Sequence, residues 1–177
     1  MEQMLIVVMG VSGSGKTTVG RLLAERLGLD FLEGDMFHPP ENIAKMRRGE
    51  PLGDEDRWPW LDRLNGELRR AAETGHGLVL TCSALKRRYR DRLRSGAPTL
   101  RFVYLRGEPN VIEARLRFRK GHFMPPDLLE SQFKALEEPG PDETALAVSV
   151  DRTPEEIATE VFARLAAPLS PAPPQVH

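Results

Sequence analysis

Apolar residues along the chain come in short runs, and most of these runs precede a segment with helical spacing. The first such pair is the apolar run at residues 4–9 and the periodic segment at 16–27, with a glycine-rich break between them. Short apolar runs are typical of buried parallel strands, and apolar residues three or four apart are typical of one helix face. The chain therefore begins as strand, loop and helix.

The same alternation continues along most of the sequence. Further strands are predicted at residues 30–33, 78–82, 100–105 and 145–150. Helices are predicted between and after the strands, at residues 39–48, 56–73, 86–94, 110–119 and 157–165. Strands that alternate with helices predict an α/β fold with a five-stranded parallel sheet and helices on both faces, in three layers.

Composition limits the size and class of the protein. The 177 residues are 40% hydrophobic and 29% charged, which suits one globular domain, predicted at residues 1–167. Residues 168–177 contain four prolines and are predicted to be a disordered tail. A net charge of -1 argues against nucleic-acid or membrane partners, and the single cysteine, Cys82, is expected to be buried. No membrane span or secretory signal is found, so a cytoplasmic location is expected.

The glycine-rich break is a phosphate-binding motif. Residues 10–17 read GVSGSGKT and fit G-x-x-x-x-G-K-[ST] between a strand and a helix, the P-loop context. The predicted nucleotide-binding residues here are Gly10, Ser12, Gly13, Ser14, Gly15, Lys16, Thr17 and Thr18. Lys16 is predicted to reach the β and γ phosphates of ATP, and Thr17 to hold Mg²⁺. The alternative, a turn that only joins strand to helix, fits this context poorly.

The rest of the chain favours a small-molecule kinase among P-loop proteins. There is no N-K-x-D pattern for guanine, and the chain is too short for a large motor. Asp35 follows the second strand and is a candidate base for an acceptor hydroxyl, although a turn aspartate is an equal alternative. Arg115 and Arg119 share a helix face and are candidates to clamp the nucleotide, although arginines at such positions are more often only solvated.

Other polar residues are candidates for the acceptor side. Lys86 follows the third strand directly, whereas most of the basic residues from there to Arg94 are expected to face water. His38 and His122 are better suited to hydrogen bonding with substrate than to a metal site, because the histidines are scattered. Two insertions, at about 37–73 and 118–138, are predicted to bind the acceptor and to form a lid.

Longer blocks resemble the thermoresistant-type gluconokinases, which are relatives of shikimate kinase and adenylate kinase. The resemblance spans about residues 4–165. Beyond the P-loop it is carried by EGDMFHP at 33–39, NIAKMRRGEPLGDEDRWPWL at 42–61, CSALKRRYRD at 82–91, RLRFRKGHFM at 115–124 and SQFKALE at 131–137. The blocks at 42–61 and 82–91 are far more specific than the P-loop.

The resemblance implies the reaction ATP + D-gluconate → ADP + 6-phospho-D-gluconate, with Mg²⁺ as cofactor and a homodimer as a possible assembly. The product would enter the pentose phosphate or Entner–Doudoroff route. The resemblance implies that Asp35 is the base or the group that orients the acceptor hydroxyl, with His38, Arg57 and Lys86 as candidates for the acceptor pocket. It also implies lid arginines at Arg115 and Arg119. An adenine-contacting loop is implied at Asp151, Thr153 and Pro154.

Two alternatives remain at this stage. The first is a kinase of the same fold that acts on another small acid or polyol, such as shikimate. The G-G-G run expected for shikimate after the third strand is replaced by Cys82-Ser83-Ala84. The second is a nonenzymatic protein that responds to nucleotide, for which loss of the base or of the lid arginines would be expected. Asp35, Arg115 and Arg119 are all present.

Overall fold

The central feature of the fold is one parallel sheet. The structure is a computed structural model that describes residues 4–118 and 126–166. In these residues the strands are β1 (Leu5–Met9), β2 (Asp30–Glu33), β3 (Leu78–Thr81), β4 (Arg101–Arg106) and β5 (Ala145–Ser149). Their order is β2-β3-β1-β4-β5 and every pairing is parallel. The predicted five-stranded parallel sheet is confirmed.

Helices cover the sheet. In the described part of the chain they are α1 (Lys16–Leu27), α2 (Pro40–Arg47), α3 (Asp54–Thr74), α4 (Arg87–Arg94), α5 (Pro109–Phe118), α6 (Pro126–Ala135) and α7 (Pro154–Ala166). A short 3-10 helix (Gly34–Phe37) follows β2. None of the helices in these ranges is long and apolar enough to cross a bilayer. His122, Arg119 and the tail at 168–177 lie outside the described residues.

Helix α6 was missed by the sequence prediction. That prediction placed about residues 118–138 in an insertion that forms a lid and gave it no helix. Leu129 and Phe133 are four residues apart, and both pack against the core. The helix therefore depends on tertiary contacts more than on a strong local pattern.

Strand and helix ends differ from the predictions by one to three residues, with the largest difference at the start of α7. The predicted strands at 78–82 and 145–150 each end one residue earlier, although the N–H groups of Cys82 and Val150 still bond to neighbouring strands. Helix α3 begins two residues earlier than predicted. Its third residue, Asp56, accepts the Gly53 N–H at 2.9 Å, which caps the first turn.

The core has two halves, one on each face of the sheet. Alternate side chains of a strand point to opposite faces. Ile6 and Val8 of β1 belong to the cluster that includes α1 and α7, and Leu5, Val7 and Met9 belong to the cluster that includes α3 and α4. All five side chains are at most 1% exposed. Full burial on both faces explains why β1 reads as a continuous apolar run.

The carboxyl ends of the strands bring the candidate site together. The P-loop follows β1, the 3-10 helix follows β2, and the segment at 82–86 follows β3. Because the strands are parallel and adjacent, these three connections lie at one edge of the sheet. Ligands of open α/β sheets bind at this edge.

Candidate active site

The P-loop has the backbone shape that its glycines permit. Gly13 and Gly15 have φ angles of 81° and 94°, in the left-handed region that favours glycine. A Cβ atom on Gly13 would also come within 2.8 Å of the Leu116 side chain on α5. Lys16 is the first residue of α1, so the free N–H groups and the positive end of that helix face the loop. The loop is therefore built to receive an anion.

Oxygen donors suitable for Mg²⁺ lie beside the P-loop. The Thr17 hydroxyl donates a hydrogen bond to the Glu33 carboxylate at the end of β2. Mg²⁺ prefers oxygen ligands and is usually held by one or two protein groups together with phosphates and water. Residues 4–118 and 126–166 contain no cluster of three or more His, Cys, Asp or Glu side chains able to hold a metal. These groups fit a Mg²⁺ ion that takes most of its ligands from a nucleotide and water.

Lys16 lies against its own loop. Its ammonium group donates to the carbonyl oxygens of Gly10 and Val11, each at 3.0 Å. Lysine carries a compact charge on a flexible stem, so it can exchange these carbonyls for phosphate oxygens. The P-loop therefore holds its cation within reach of the phosphate site.

Asp35 is held at the mouth of the cleft by the 3-10 helix. Its side chain is 73% exposed, so the carboxylate is accessible to a substrate. The indole of Trp60 on α3 binds this 3-10 helix, because its N–H donates to the Gly34 carbonyl at 2.8 Å. A Cβ atom on Gly34 would lie 2.1 Å from the Thr81 carbonyl oxygen, so only glycine allows this close approach. The position of Asp35 therefore depends on Gly34 and Trp60.

His38 is buried next to Asp35. Its ring stacks on Trp60 with the centroids 4.0 Å apart, and its Nε2 lies 4.0 Å from an Asp35 carboxylate oxygen. The Asn42 amide nitrogen donates to the Asp56 carbonyl at 2.8 Å and faces His38 Nδ1 at 3.1 Å. An amide nitrogen only donates, so Nδ1 accepts and the ring proton is on Nε2. A neutral His38 therefore presents an N–H toward Asp35.

Three cations surround the Tyr89 ring, and two of them line the cleft on the side that we call the acceptor wall, formed by Arg57, Lys86 and Tyr89. The Arg57 guanidinium lies 5.2 Å from the centre of the ring, and the Lys86 ammonium lies 5.9 Å from it. The third, Arg88, lies at 5.7 Å but pairs with Asp54 and is not part of the cleft lining. The Tyr89 hydroxyl donates to Asp54 at 2.5 Å. Burial, together with this hydrogen bond, raises the pKa of Tyr89 to about 12. The phenol therefore stays neutral, and the positive charge of this wall comes from Arg57 and Lys86.

A buried ion pair supports the segment that leads to Lys86. Arg90 is fully buried and makes two parallel bonds to Glu143, at 2.7 and 3.1 Å. It also donates to the Ala84 carbonyl at 2.8 Å, and Ala84 has a φ of 46°, which is strained for a residue with a side chain. Most of the basic residues from 86 to 94 were expected to face water, and Arg90 is a buried exception. Only the tertiary structure supplies its partner.

Glu143 remains ionised inside this pair. Burial alone would raise its pKa, but hydrogen bonds from Arg90, Arg94 and the Gly140 N–H outweigh burial and lower the pKa to about 2. Arg94 donates to a Glu143 carboxylate oxygen at 2.9 Å. One carboxylate therefore bonds to two guanidinium groups that belong to the same helix, α4.

The residues predicted to contact adenine lie near α5 and the start of α7. Arg115 donates to the backbone carbonyls of Val150 and Arg152, so it binds the segment that contains Asp151. The Thr153 hydroxyl accepts the Glu156 N–H at 3.2 Å and caps α7, whose first residue is Pro154. These contacts are structural, and the adenine contacts stay predictions.

One cleft of about 820 Å³ is lined by nine of the sixteen predicted site residues that fall in the described part of the chain. The predicted residues that line it are Ser12, Gly13, Gly15, Lys16, Thr17, Asp35, His38, Arg57 and Lys86. Other predicted residues are not part of its lining, namely Gly10, Ser14, Thr18, Arg115, Asp151, Thr153 and Pro154. The nucleotide loop and the acceptor wall thus face the same space.

Known proteins share this architecture and sequence. A protein-family model described as an AAA domain matches residues 5–139. The chain is 48% identical to a gluconokinase of Gluconobacter oxydans over 162 residues, which cover 92% of this chain and 91% of that protein. It is 49% identical to the thermoresistant gluconokinase of Escherichia coli over 159 residues, 89% of this chain and 91% of that one. The chain belongs to the gluconokinase family.

A solved structure supports the same relationship. The crystal structure of a gluconokinase from Sinorhizobium meliloti matches with a TM-score of 0.85 and 49% identity, and covers 92% of this chain and 93% of that one. The resemblance noted in the sequence and the P-loop kinase fold class are therefore confirmed. The roles of single residues in this gluconokinase-family chain stay predictions.

Several polar residues that line the cleft were absent from the predicted site, among them Glu33, Asp54, Tyr89 and Gln132. Signals for these four were present in the sequence. Glu33 is two residues before Asp35, and Tyr89 is three residues after Lys86, on the same helical face. Gln132 lies in the SQFKALE block, which contributed to the family resemblance but to no residue role. Asp54 lies in the block at 42–61, which also contributed to the resemblance, and its hydrogen bond to Tyr89 is seen only in the structure.

Stability should depend on pH through His38. Burial lowers the pKa of His38 from 6.5 to about 4, against a smaller opposing effect of Asp35. Between these values the unfolded chain binds a proton that the folded protein does not, so stability should fall as the pH decreases through this window. The expected loss is up to about 3 kcal/mol.

Denaturant unfolding of the wild type and of His38→Phe between pH 7 and pH 4 tests this expectation. Phenylalanine can still stack on Trp60 but cannot bind a proton. The difference in unfolding free energy between the two proteins should therefore shift by about 3 kcal/mol across the window. A difference that is constant with pH would contradict the prediction.

Proposed function

We propose that this protein is a gluconokinase that transfers the γ-phosphoryl group of ATP to the 6-hydroxyl of D-gluconate. The observation that carries the proposal is the content of the cleft. A P-loop with its lysine, an exposed carboxylate at Asp35 and the cationic wall of Arg57 and Lys86 line one space. Membership of the gluconokinase family supports the choice of substrate.

The acceptor wall suits a small polyhydroxylated anion. Arg57 and Lys86 can bind a carboxylate by charge-assisted hydrogen bonds. The buried His38 contributes a neutral N–H, and the Asp54 carboxylate can accept from sugar hydroxyls. Gluconate carries one carboxylate and five hydroxyls, so it can use both kinds of contact. We assign Arg57, Lys86, His38 and the lid residue His122 to gluconate.

Asp35 is the proposed base for the transfer. The acceptor oxygen attacks the γ-phosphorus in line as the bond to the ADP oxygen breaks, and the hydroxyl proton passes to the Asp35 carboxylate. The neutral His38 N–H lies 4.0 Å from the same carboxylate. Lys16 and Arg119 are assigned to the negative charge that develops on the transferring group.

The nucleotide is assigned to the P-loop, with Arg115 and the segment from Asp151 to Pro154 on the base side. Thr17, with Glu33 beside it, is assigned to Mg²⁺. When bound, Mg²⁺ would neutralise charge on the β and γ phosphates. Cytoplasmic location, a homodimer and the domain limits given above remain predictions.

A substrate panel tests the proposal. ADP release with Mg-ATP is measured against gluconate, shikimate, glycerate, glucose and AMP. Turnover with gluconate that far exceeds the others is the expected result. Turnover with another acceptor and none with gluconate would keep the kinase chemistry but overturn the substrate. ATP binding without turnover of any acceptor would favour the nonenzymatic alternative.

Replacing the proposed base should slow phosphoryl transfer without weakening the binding of ATP. Asp35→Asn keeps the size of the side chain but cannot take the proton. We expect turnover to fall by about 10² to 10⁴-fold. Binding of ATP, measured by calorimetry, should stay within about twofold, because Asp35 faces the acceptor.

The matched control is Asp30→Asn. Asp30 is exposed at the opposite end of β2, so this change should leave turnover unaltered. A collapse of ATP binding in Asp35→Asn would move Asp35 from the acceptor site to the metal site.

A further inference from the structure

A glutamine from α6 makes a two-point contact with the P-loop. Gln132 Oε1 accepts the Ser12 N–H at 2.7 Å, and Gln132 Nε2 donates to the Ser12 hydroxyl oxygen at 3.1 Å. A backbone N–H can only donate, so the amide oxygen must face it and the amide nitrogen must face the hydroxyl. The orientation of this side chain is therefore determined by its partner.

The contact leaves one hydrogen of Ser12 available. A hydroxyl has one O–H donor and accepts through its lone pairs. Here the oxygen accepts from Gln132, and within residues 4–118 and 126–166 the Ser12 hydroxyl donates no hydrogen bond of its own. Ser12 lines the same cleft as Lys16 and Thr17. The Ser12 hydroxyl hydrogen is therefore available for a ligand in the cleft beside the P-loop.

The helix that carries Gln132 is anchored at its end. The Glu137 N–H donates to the Leu85 carbonyl at 2.7 Å, and the Glu137 carboxylate accepts the Arg87 N–H at 2.8 Å. These bonds join the end of α6 to the segment on either side of Lys86. Gln132 thus reaches the P-loop from a fixed support, which favours a defined geometry at Ser12.

We propose that Gln132 is a positioning residue for the nucleotide, which orients the Ser12 hydroxyl so that its hydrogen donates to a phosphate oxygen of ATP. Because the Ser12 oxygen already accepts from Gln132, the O–H is directed away from the amide and toward the cleft. The inference rests on the proposed function only in taking ATP as the nucleotide. The identity of the acceptor does not enter it.

Two substitutions at one position separate positioning from simple packing. Gln132→Leu removes both hydrogen bonds. Gln132→Glu keeps an acceptor for the Ser12 N–H. Its second carboxylate oxygen cannot donate to the Ser12 hydroxyl oxygen, and accepts the hydroxyl hydrogen instead. The substitution also adds a negative charge. A structural role would make Gln132→Glu the milder change, whereas the positioning role makes it the more harmful one.

Calorimetry with Mg-ATP in the absence of gluconate measures the effect. We expect ATP binding to weaken about tenfold in Gln132→Leu and in Ser12→Ala, and about 100-fold in Gln132→Glu. The double variant Ser12→Ala with Gln132→Leu should bind ATP no more than about twofold more weakly than either single variant. The reason is that both substitutions remove the same contact between Gln132 and the Ser12 hydroxyl. Glu130→Gln, on the exposed face of α6, is the control and should match the wild type.

ATP binding within twofold of the wild type in both Gln132 variants would overturn the inference, as would losses that multiply in the double variant. Thermal unfolding of each variant shows whether it is folded. Gluconate turnover is measured separately on the wild type. Its absence, with ATP binding still dependent on Gln132, would overturn the proposed function and leave this inference standing.

Discussion

Lys16→Ala should reduce turnover by on the order of 10³-fold, because it removes a cation from the site where negative charge develops during phosphoryl transfer. The ammonium group now bonds to the carbonyls of Gly10 and Val11 at the mouth of the loop. We expect its proposed interaction with the phosphates to be strongest in the transition state, so the loss should appear mainly in kcat. Steady-state ADP release with saturating Mg-ATP and gluconate measures it.

The control for this loss is Lys134→Ala. Lys134 lies on α6 with a side chain that is 76% exposed, in a surface pair with Glu130. The same chemical change there should leave kcat within about twofold of the wild type, since exposed pairs contribute little. Near-normal turnover of Lys16→Ala would mean that the P-loop lysine has been assigned the wrong role.

Glu143→Gln should be among the most destabilising single changes in this protein. The substitution keeps the shape of the side chain but removes its charge, so the Arg90 guanidinium is left buried without an anion. Breaking a buried pair by neutralising one partner costs about 3 to 5 kcal/mol. Denaturant unfolding at pH 7 measures the loss, and Glu143 is fully ionised there because its pKa is about 2.

An exposed ion pair between α4 and α3 provides the comparison. Arg92 bonds to Asp62 at 2.6 Å, and both side chains are about half exposed. Asp62→Asn should cost no more than about 1 kcal/mol. Equal losses for the two variants would contradict the view that burial, and not ion pairing as such, gives the Arg90–Glu143 pair its importance.

The ion pair also links stability to the acceptor wall. Arg90 donates to the carbonyls of Ala84 and Leu85, directly before Lys86. Two residues other than glycine with positive φ lie at this ion pair. Ala84 carries one of the carbonyls to which Arg90 donates, and Thr144 follows Glu143. Strained backbone of this kind persists only when its surroundings hold it in place. The pair therefore supports the part of the acceptor wall that Lys86 provides.

Patterns of neighbouring residues determined the outline of this molecule. Apolar runs predicted the central strands β1, β3 and β4, because a strand buried on both faces must be apolar throughout. The edge strands β2 and β5 are only partly buried, and β2 (DFLE) begins and ends with a charged residue. The P-loop was visible because its geometry requires glycines at fixed spacing between a strand and a helix. Asp35 and Lys86 were predicted at the correct edge of the sheet, since each follows a parallel strand directly.

Longer-range contacts decided the rest. Arg90 looks in sequence like its basic neighbours, and only the approach of Glu143, 53 residues later, makes it a buried group. Gln132 lies 120 residues from Ser12, so no local pattern could pair them. Helix α6 itself forms on the core through Leu129 and Phe133. The sequence alone determined the sheet and the phosphate loop, because these follow from local periodicity and spacing, and its longer motif blocks carried the resemblance to the family. Only the tertiary structure decided which charged and polar side chains face one another, because such pairing depends on how distant segments pack.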